Sequence, residues 1–246
     1  DSSARGAAPL RTAPSSQKGA NVDQATAPRF DAVIFDMDGV LVDSETLYLR
    51  EFRAFSHANG LDVTEEELLA QVGASHQTFQ RTIRDVLARN GIETASPEAA
   101  ERIYETWAAE NFERNYGQIV NPGVPETLDA LRAAGVRVAL ASSAPLRFIH
   151  EALGQCGIDD RFEQFVSGEQ FHESKPNPEI YLHSMECLGL PATRCCCVED
   201  SAFGIAAGKA AGMFVIAKRE ERFGFSQDAA DVIVDEIPGV LDVVLG

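Results

Sequence analysis

Asp36 and Asp38 stand two residues apart at the end of the apolar run Ala32-Val33-Ile34-Phe35, and Gly39 follows them. A spacing of two puts both side chains on one side of an extended chain, and glycine lets the backbone turn away. The run is apolar at every position, as expected of a strand buried on both faces of a parallel sheet. Such a strand offers no solvation to an anion at its end, so two carboxylates there need a cation or a proton. The chemistry this suggests is a metal-bound nucleophile beside an acid/base. Taken alone, the pair also fits a helix N-cap after a strand, a common place for aspartate.

More polar positions recur at the ends of later apolar runs. The strand-like segment 136–141 stops at Ser142-Ser143. Lys175 lies between turn formers in Ser174-Lys175-Pro176-Asn177-Pro178, ahead of a helical pattern. Cys195-Cys196-Cys197-Val198 runs into Glu199-Asp200-Ser201, with Gly204, Gly208 and Gly212 behind it. Further strand-like runs lie around Phe165-Val166 and at 213–217 and 232–234, and helical segments begin near Val124, Pro145, Asn177, Ala202 and Ile237. Alternating strands and helices imply a parallel α/β sheet with right-handed crossovers. Ligands of such sheets bind beyond the carboxyl ends of the strands. Four carboxylates, a hydroxyl and a lysine are therefore expected in one crevice.

In four segments, FDMDGVLVDSE (35–45), ALASS (139–143), SKPNPEIY (174–181) and VEDSAFGIAAGKAAGM (198–213), the chain resembles the haloacid dehalogenase-like superfamily. Its β-phosphoglucomutase-like branch, with a small helical cap, is the nearest in pattern. The resemblance runs from about Phe30 to Gly246. It implies an α/β fold: a Rossmann-like parallel sheet with an all-helical cap inserted after the first strand. It also implies Asp36 as a nucleophile that becomes an aspartyl phosphate, and Asp38 as the acid/base for leaving group and water. Ser142 would hydrogen-bond a phosphoryl oxygen, with Ser143 beside it, and Lys175 would neutralise charge on Asp36 and the phosphoryl group. Asp36, Asp200 and the Asp38 carbonyl would hold Mg²⁺, with Glu199 on a metal-bound water. An all-oxygen donor set suits Mg²⁺ better than zinc, and phosphoryl transfer mainly demands alignment and charge neutralisation.

Between Asp43 and Asn121 the pattern is helical throughout. One segment closes near Asn59-Gly60. A second opens at Thr64-Glu65-Glu66-Glu67 and ends near Gly73, a third follows Ser75 and ends at Asn90-Gly91, and a fourth opens at Ser96-Pro97-Glu98. Residues 44–120 are thus expected to form a cap over a core of 30–43 and 121–246, able to close over the site. Tyr48, Phe52 and the Gly73-Ala74-Ser75-His76 loop are candidate substrate contacts; Arg50, Arg53, Arg81 and Arg84 are weaker ones. Tyr48 and His76 occupy positions where β-phosphoglucomutase carries a histidine and an arginine, and Pro145 stands where a lysine follows the motif serine. Losing the arginine removes a bidentate phosphate grip. A mutase needs a second such grip and hydrolysis does not, so a phosphatase of a small sugar or polyol phosphate is expected ahead of a sugar phosphomutase. A non-catalytic binding protein is a third reading, which the complete set of chemical residues disfavours.

With 246 residues, 45% of them hydrophobic, the chain can bury one domain and a modest insert. It has no apolar run long enough for a bilayer, and a formal net charge of −17 argues against nucleic acid as a partner. Five cysteines, three consecutive, give neither a disulfide framework nor a zinc pattern and are expected to fill core. Residues 1–29 carry four basic against two acidic residues and no hydrophobic periodicity, as a disordered leader would. A cytoplasmic monomer is expected, or an organelle-matrix protein if the leader is a transit-peptide remnant.

Overall fold

The computed structural model describes residues 27–72 and 76–246. Six strands form one parallel sheet: β1 (Ala32–Phe35), β2 (Arg137–Ser142), β3 (Gln164–Ser167), β4 (Cys195–Glu199), β5 (Phe214–Lys218) and β6 (Val232–Val234), in the order β3-β2-β1-β4-β5-β6. The chain starts at the centre, builds outward on one side, then returns to build the other. The order therefore reverses at β1, and the crevice of a doubly wound sheet lies beyond that strand's carboxyl end.

All residues of β1 and β4 are buried. Their side chains alternate between two apolar layers, one holding Val33, Phe35, Cys196 and Val198, the other Ala32, Ile34, Cys195 and Cys197. The consecutive cysteines therefore fill core on both faces of the sheet. Cys187 does not share that role, being exposed on a helix.

Four helices lie between β1 and β2 before the core resumes: α1 (Ser44–Ala58), α2 (Glu65–Leu69), α3 (His76–Arg89) and α4 (Pro97–Asn111). Two of these starts follow side-chain caps: Thr64 and Glu67 form a reciprocal capping box at α2, and Ser96 accepts from the Ala99 N–H at α4, which opens on Pro97. α2 is shorter than the acidic run suggests, ending at Leu69 rather than near Gly73, with Leu68 its one buried residue. Ser75, expected to cap α3, falls with Gly73 and Ala74 outside the described residues. The four helices share a separate aromatic cluster in which Tyr104 meets Phe55 at 5.1 Å and Phe79 at 5.2 Å, both edge-on.

The chain returns through a Val42–Val120 bridge, and the Asn121 side chain donates to the Gly39 and Val40 carbonyls. Five more helices cover the sheet: α5 (Val124–Ala133), α6 (Leu146–Gln155), α7 (Glu179–Leu188), α8 (Ala202–Ala210) and α9 (Gly239–Leu245). Arg29, placed in the leader by the sequence reading, is bonded into the core. The Arg29 N–H donates to the Val244 carbonyl, and its guanidinium lies 4.1 Å from the Phe214 ring centre. The rest of the expected leader, 1–26, lies outside the described residues. No helix among those described is long and apolar enough to cross a membrane.

Candidate active site

Asp36 is the first residue past β1, its N–H bonded to the Val198 carbonyl of β4. Lys175 reaches it from the loop before α7. Its ammonium donates to Asp36 Oδ1 at 2.6 Å, to Glu199 Oε1 at 2.7 Å and to the Ala141 carbonyl at 3.1 Å. One cation with three N–H groups thus ties together the carboxyl ends of β1, β2 and β4. Tyr181, on the first turn of α7, also donates to Glu199 Oε1, and its ring lies 5.2 Å from the ammonium.

Asp36, Glu199 and Asp200 are all buried, each with a carboxylate oxygen within 4.8 Å of the others. Among the described residues, Glu199 Oε2 is buried without a hydrogen-bond partner. Two glycines make the crowding possible. A Cβ on Gly39 would lie 1.8 Å from Asp200 Oδ2, and one on Gly204 would lie 1.9 Å from Glu199 Oε2. Gly39 also has φ +75°, a conformation glycine adopts without penalty.

The electrostatics follow from that crowding. Burial pushes the Asp36 carboxyl up to about 8, with Lys175 pulling it down and Glu199 and Asp38 pushing it further up. Burial likewise raises Asp200 well above the carboxylate range, reinforced by Asp36 and Glu199. It raises Asp38 too, though Ser44 Oγ, donating to Asp38 Oδ1 at 2.5 Å, and Lys175 oppose it. Burial alone would lower Lys175, but Asp36 and Glu199 outweigh it and hold the amine charged. Three carboxylates facing one ammonium leave excess negative charge, and an unpartnered oxygen marks where a cation would be welcome. The donors are all oxygens, so the set fits a hard divalent ion such as Mg²⁺.

Above these groups lies a cavity of about 180 Å³ between the sheet end and the helical insert. Asp36, Asp38, Lys175 and Asp200 line its floor; Tyr48 and His76 line its walls. At the end of β2 the wall residue is Ser143, whose Oγ lies 3.1 Å from that of Ser174. Ser142 is fully buried there, its Oγ accepting the Ala144 N–H. Tyr48 shares a 3.0 Å hydrogen bond with Tyr116, and His76 Nε2 lies 3.2 Å from Glu101 Oε1. Phe52 contributes to the same wall as well as to the aromatic cluster. The other cap candidates are elsewhere: Arg53 pairs with Glu65 and Arg84 with Asp85, and neither Arg50 nor Arg81 lines the cavity.

Four contributors were not singled out from sequence: Ser44, Tyr181, Tyr116 and Arg114. The first two lie inside the quoted motif segments, and that membership is the signal that was available. Arg114 lines the cavity from the segment after α4, bonded to Glu51 and Glu105.

Residues 30–212 match the family model of haloacid dehalogenase-like hydrolases. A phosphorylated carbohydrates phosphatase of Thermotoga maritima is 33% identical over 193 residues, covering 74% of this chain and 82% of that protein. Hexitol phosphatase B of Escherichia coli is 29% identical over 201 residues, covering 74% and 80% respectively. Among solved structures, β-phosphoglucomutase from Clostridium difficile superposes with a TM-score of 0.69 over 86% of this chain and 93% of its own, at 23% identity, a likeness of fold. A sheet-end carboxylate cluster bridged by one lysine beneath a helical insert, and a family match over most of the described chain, lead to one assignment: this protein is an enzyme of the haloacid dehalogenase-like hydrolase family.

Proposed function

We propose that the protein is a Mg²⁺-dependent phosphatase of a small sugar or polyol phosphate, working through an aspartyl phosphate. The observation that carries this is the Lys175 ammonium held between Asp36 and Glu199, with Asp200 beside both. Asp36 Oδ attacks phosphorus as the ester P–O bond breaks, and Asp38 gives its proton to the departing alkoxide. Asp38 then takes a proton from water as that water attacks the phosphorus of the acyl phosphate, releasing inorganic phosphate and regenerating Asp36. Asp38 suits the first role because burial favours its protonated form, while its bond to Ser44 keeps it oriented. Lys175 favours the ionised nucleophile and offsets charge on the transferring group. Ser142, already accepting from Ala144, can turn its O–H toward a phosphoryl oxygen. Mg²⁺ would be held by Asp36, Asp200 and the Asp38 carbonyl, with Glu199 beyond, and would supply charge neutralisation on phosphoryl oxygens.

The names of the relatives support a carbohydrate or hexitol ester as substrate. Tyr48, His76 and Pro145, in place of the mutase residues, favour hydrolysis over transfer within a bound sugar. The test is Asp36→Asn. Acid-quenched intact-mass spectrometry should find covalent phosphate on the parent protein and none on the variant. Phosphate release should fall at least about 10³-fold. Ordinary turnover by the variant would remove Asp36 from the mechanism.

A further inference from the structure

The cap wall of the cavity carries hydrogen-bond acceptors in excess of free cationic donors. Arg114 is the one arginine lining it among the described residues, and its guanidinium is already committed. Nε and Nη2 donate to the two oxygens of Glu51 at 2.6 and 2.5 Å, and Nη1 and Nη2 to Glu105 at 3.1 Å each. Glu51 is fully buried, so the guanidinium is held by two carboxylates and carries no net positive charge to the cavity.

Glu101 faces the same space. Its Oε1 lies 3.2 Å from His76 Nε2, and its Oε2 accepts from Gln80 at 2.7 Å. Even a protonated His76 would therefore be spent on its own partner.

We propose that this wall, through Glu101 and Glu105, restricts the enzyme to monophosphates whose alcohol portion bears no second anionic group. Carboxylate-bearing and bisphosphorylated esters are rejected. The proposal rests on the phosphatase reading only for where the reacting phosphate sits. A second anion would arrive opposite carboxylates, with Arg114 already bound to Glu51 and Glu105 and with Arg147 acting on Glu101 without lining the cavity, whereas a hydroxyl brings no charge to oppose them. One unbalanced charge in a partly buried site is worth roughly ten- to hundredfold in selectivity.

The experiment measures phosphate release by the full chain with Mg²⁺ from a hexitol monophosphate, phosphoglycolate, a hexose bisphosphate and p-nitrophenyl phosphate. Expected is a kcat/KM for the hexitol ester about 100-fold above those of the two doubly anionic esters. Glu101→Gln, which keeps shape and removes charge, should narrow that ratio about tenfold. Comparable rates on bisphosphate and hexitol ester would overturn the proposal, as would a ratio unmoved by Glu101→Gln in a variant that still turns over p-nitrophenyl phosphate. If no ester is hydrolysed, the phosphatase reading falls instead. The same ratio is then read as dissociation constants by calorimetry on the parent and on Asp36→Asn, where equal affinities would overturn the selectivity.

Discussion

Glu199 Oε1 accepts from both Lys175 and Tyr181 while Oε2 accepts from neither, so on the proposed reading one oxygen orients the carboxylate and the other is left for Mg²⁺ and its water. Partners that orient a metal-binding group typically change affinity 10–100-fold when removed. Tyr181→Phe should therefore raise the Mg²⁺ concentration for half-maximal activity by about tenfold or more, with the fold intact by circular dichroism. Gly39→Ala should act more severely, because a Cβ at 1.8 Å from Asp200 Oδ2 displaces that carboxylate and the left-handed backbone strains. Activity at saturating Mg²⁺ should fall over 100-fold, and Mg²⁺ titration by calorimetry should show weakened binding. Asp38→Ala separates the acid role from the nucleophile. Esters of aliphatic alcohols should lose about 10²–10⁴ in kcat/KM, whereas p-nitrophenyl phosphate, whose leaving group needs little protonation, should lose under about tenfold. Equal losses on both would remove Asp38 as the acid.

At the scale of elements, the helical insert is joined to itself and to the returning chain by ion pairs of unequal worth. The Arg114–Glu51 pair, with Glu51 fully buried and Arg114 half-buried, links α1 to the segment after α4. Removing one member of such a pair strands the other's charge, at a cost of about 3–5 kcal/mol. Arg114→Met should accordingly speed amide exchange in α1 and α4 while leaving β1 and β4 protected. Uniform exchange across both regions would mean that insert and sheet unfold together. Glu67 offers a pH-dependent contrast. Hydrogen bonds from Arg89 and the Thr64 N–H hold its carboxyl down at about 2, below its ordinary 4.5. A depressed acid stabilises the folded form above its unfolded value and loses that contribution as pH falls through the folded one. The clasp between α2 and α3 should thus be intact above about pH 4.5 and lost progressively toward pH 2. Amide exchange in α2 at several pH values checks this, and Glu67→Gln should abolish the dependence.

For the whole molecule, a formal charge of −17 opposes the approach of a dianionic ester. Salt screens that repulsion, with a Debye length near 30 Å at 0.01 M shrinking to roughly 8 Å at 0.15 M. Raising ionic strength at saturating Mg²⁺ should therefore increase kcat/KM, by about two- to fivefold, where a cationic enzyme would show a decrease. A fall would imply that the field at the cavity mouth is positive despite the net charge. The reversal of strand order at β1 is what lets attraction work at short range. It brings together three strand ends, with Asp36, Ala141 and Glu199 all within reach of a single ammonium.

What the linear chain determined was its periodicity and its strand-end chemistry. Continuous apolar runs set β1, β4 and β6, the Ser96-Pro97 and Thr64-Glu67 pairs announced their helices, Asp36, Asp38, Glu199 and Asp200 stood out as carboxylates ending apolar strands, and Lys175 stood out as a lysine between turn formers. Tertiary structure decided the partnerships. Arg114 reaches Glu51 across 63 positions, and Tyr181 reaches Glu199 across 18. The arginines noticed on the insert, Arg53 and Arg84, instead pair near at hand. A side chain's charge is written in its identity, but whether that charge is spent depends on which neighbours folding brings to it. Composition alone therefore could not tell a free arginine from a neutralised one.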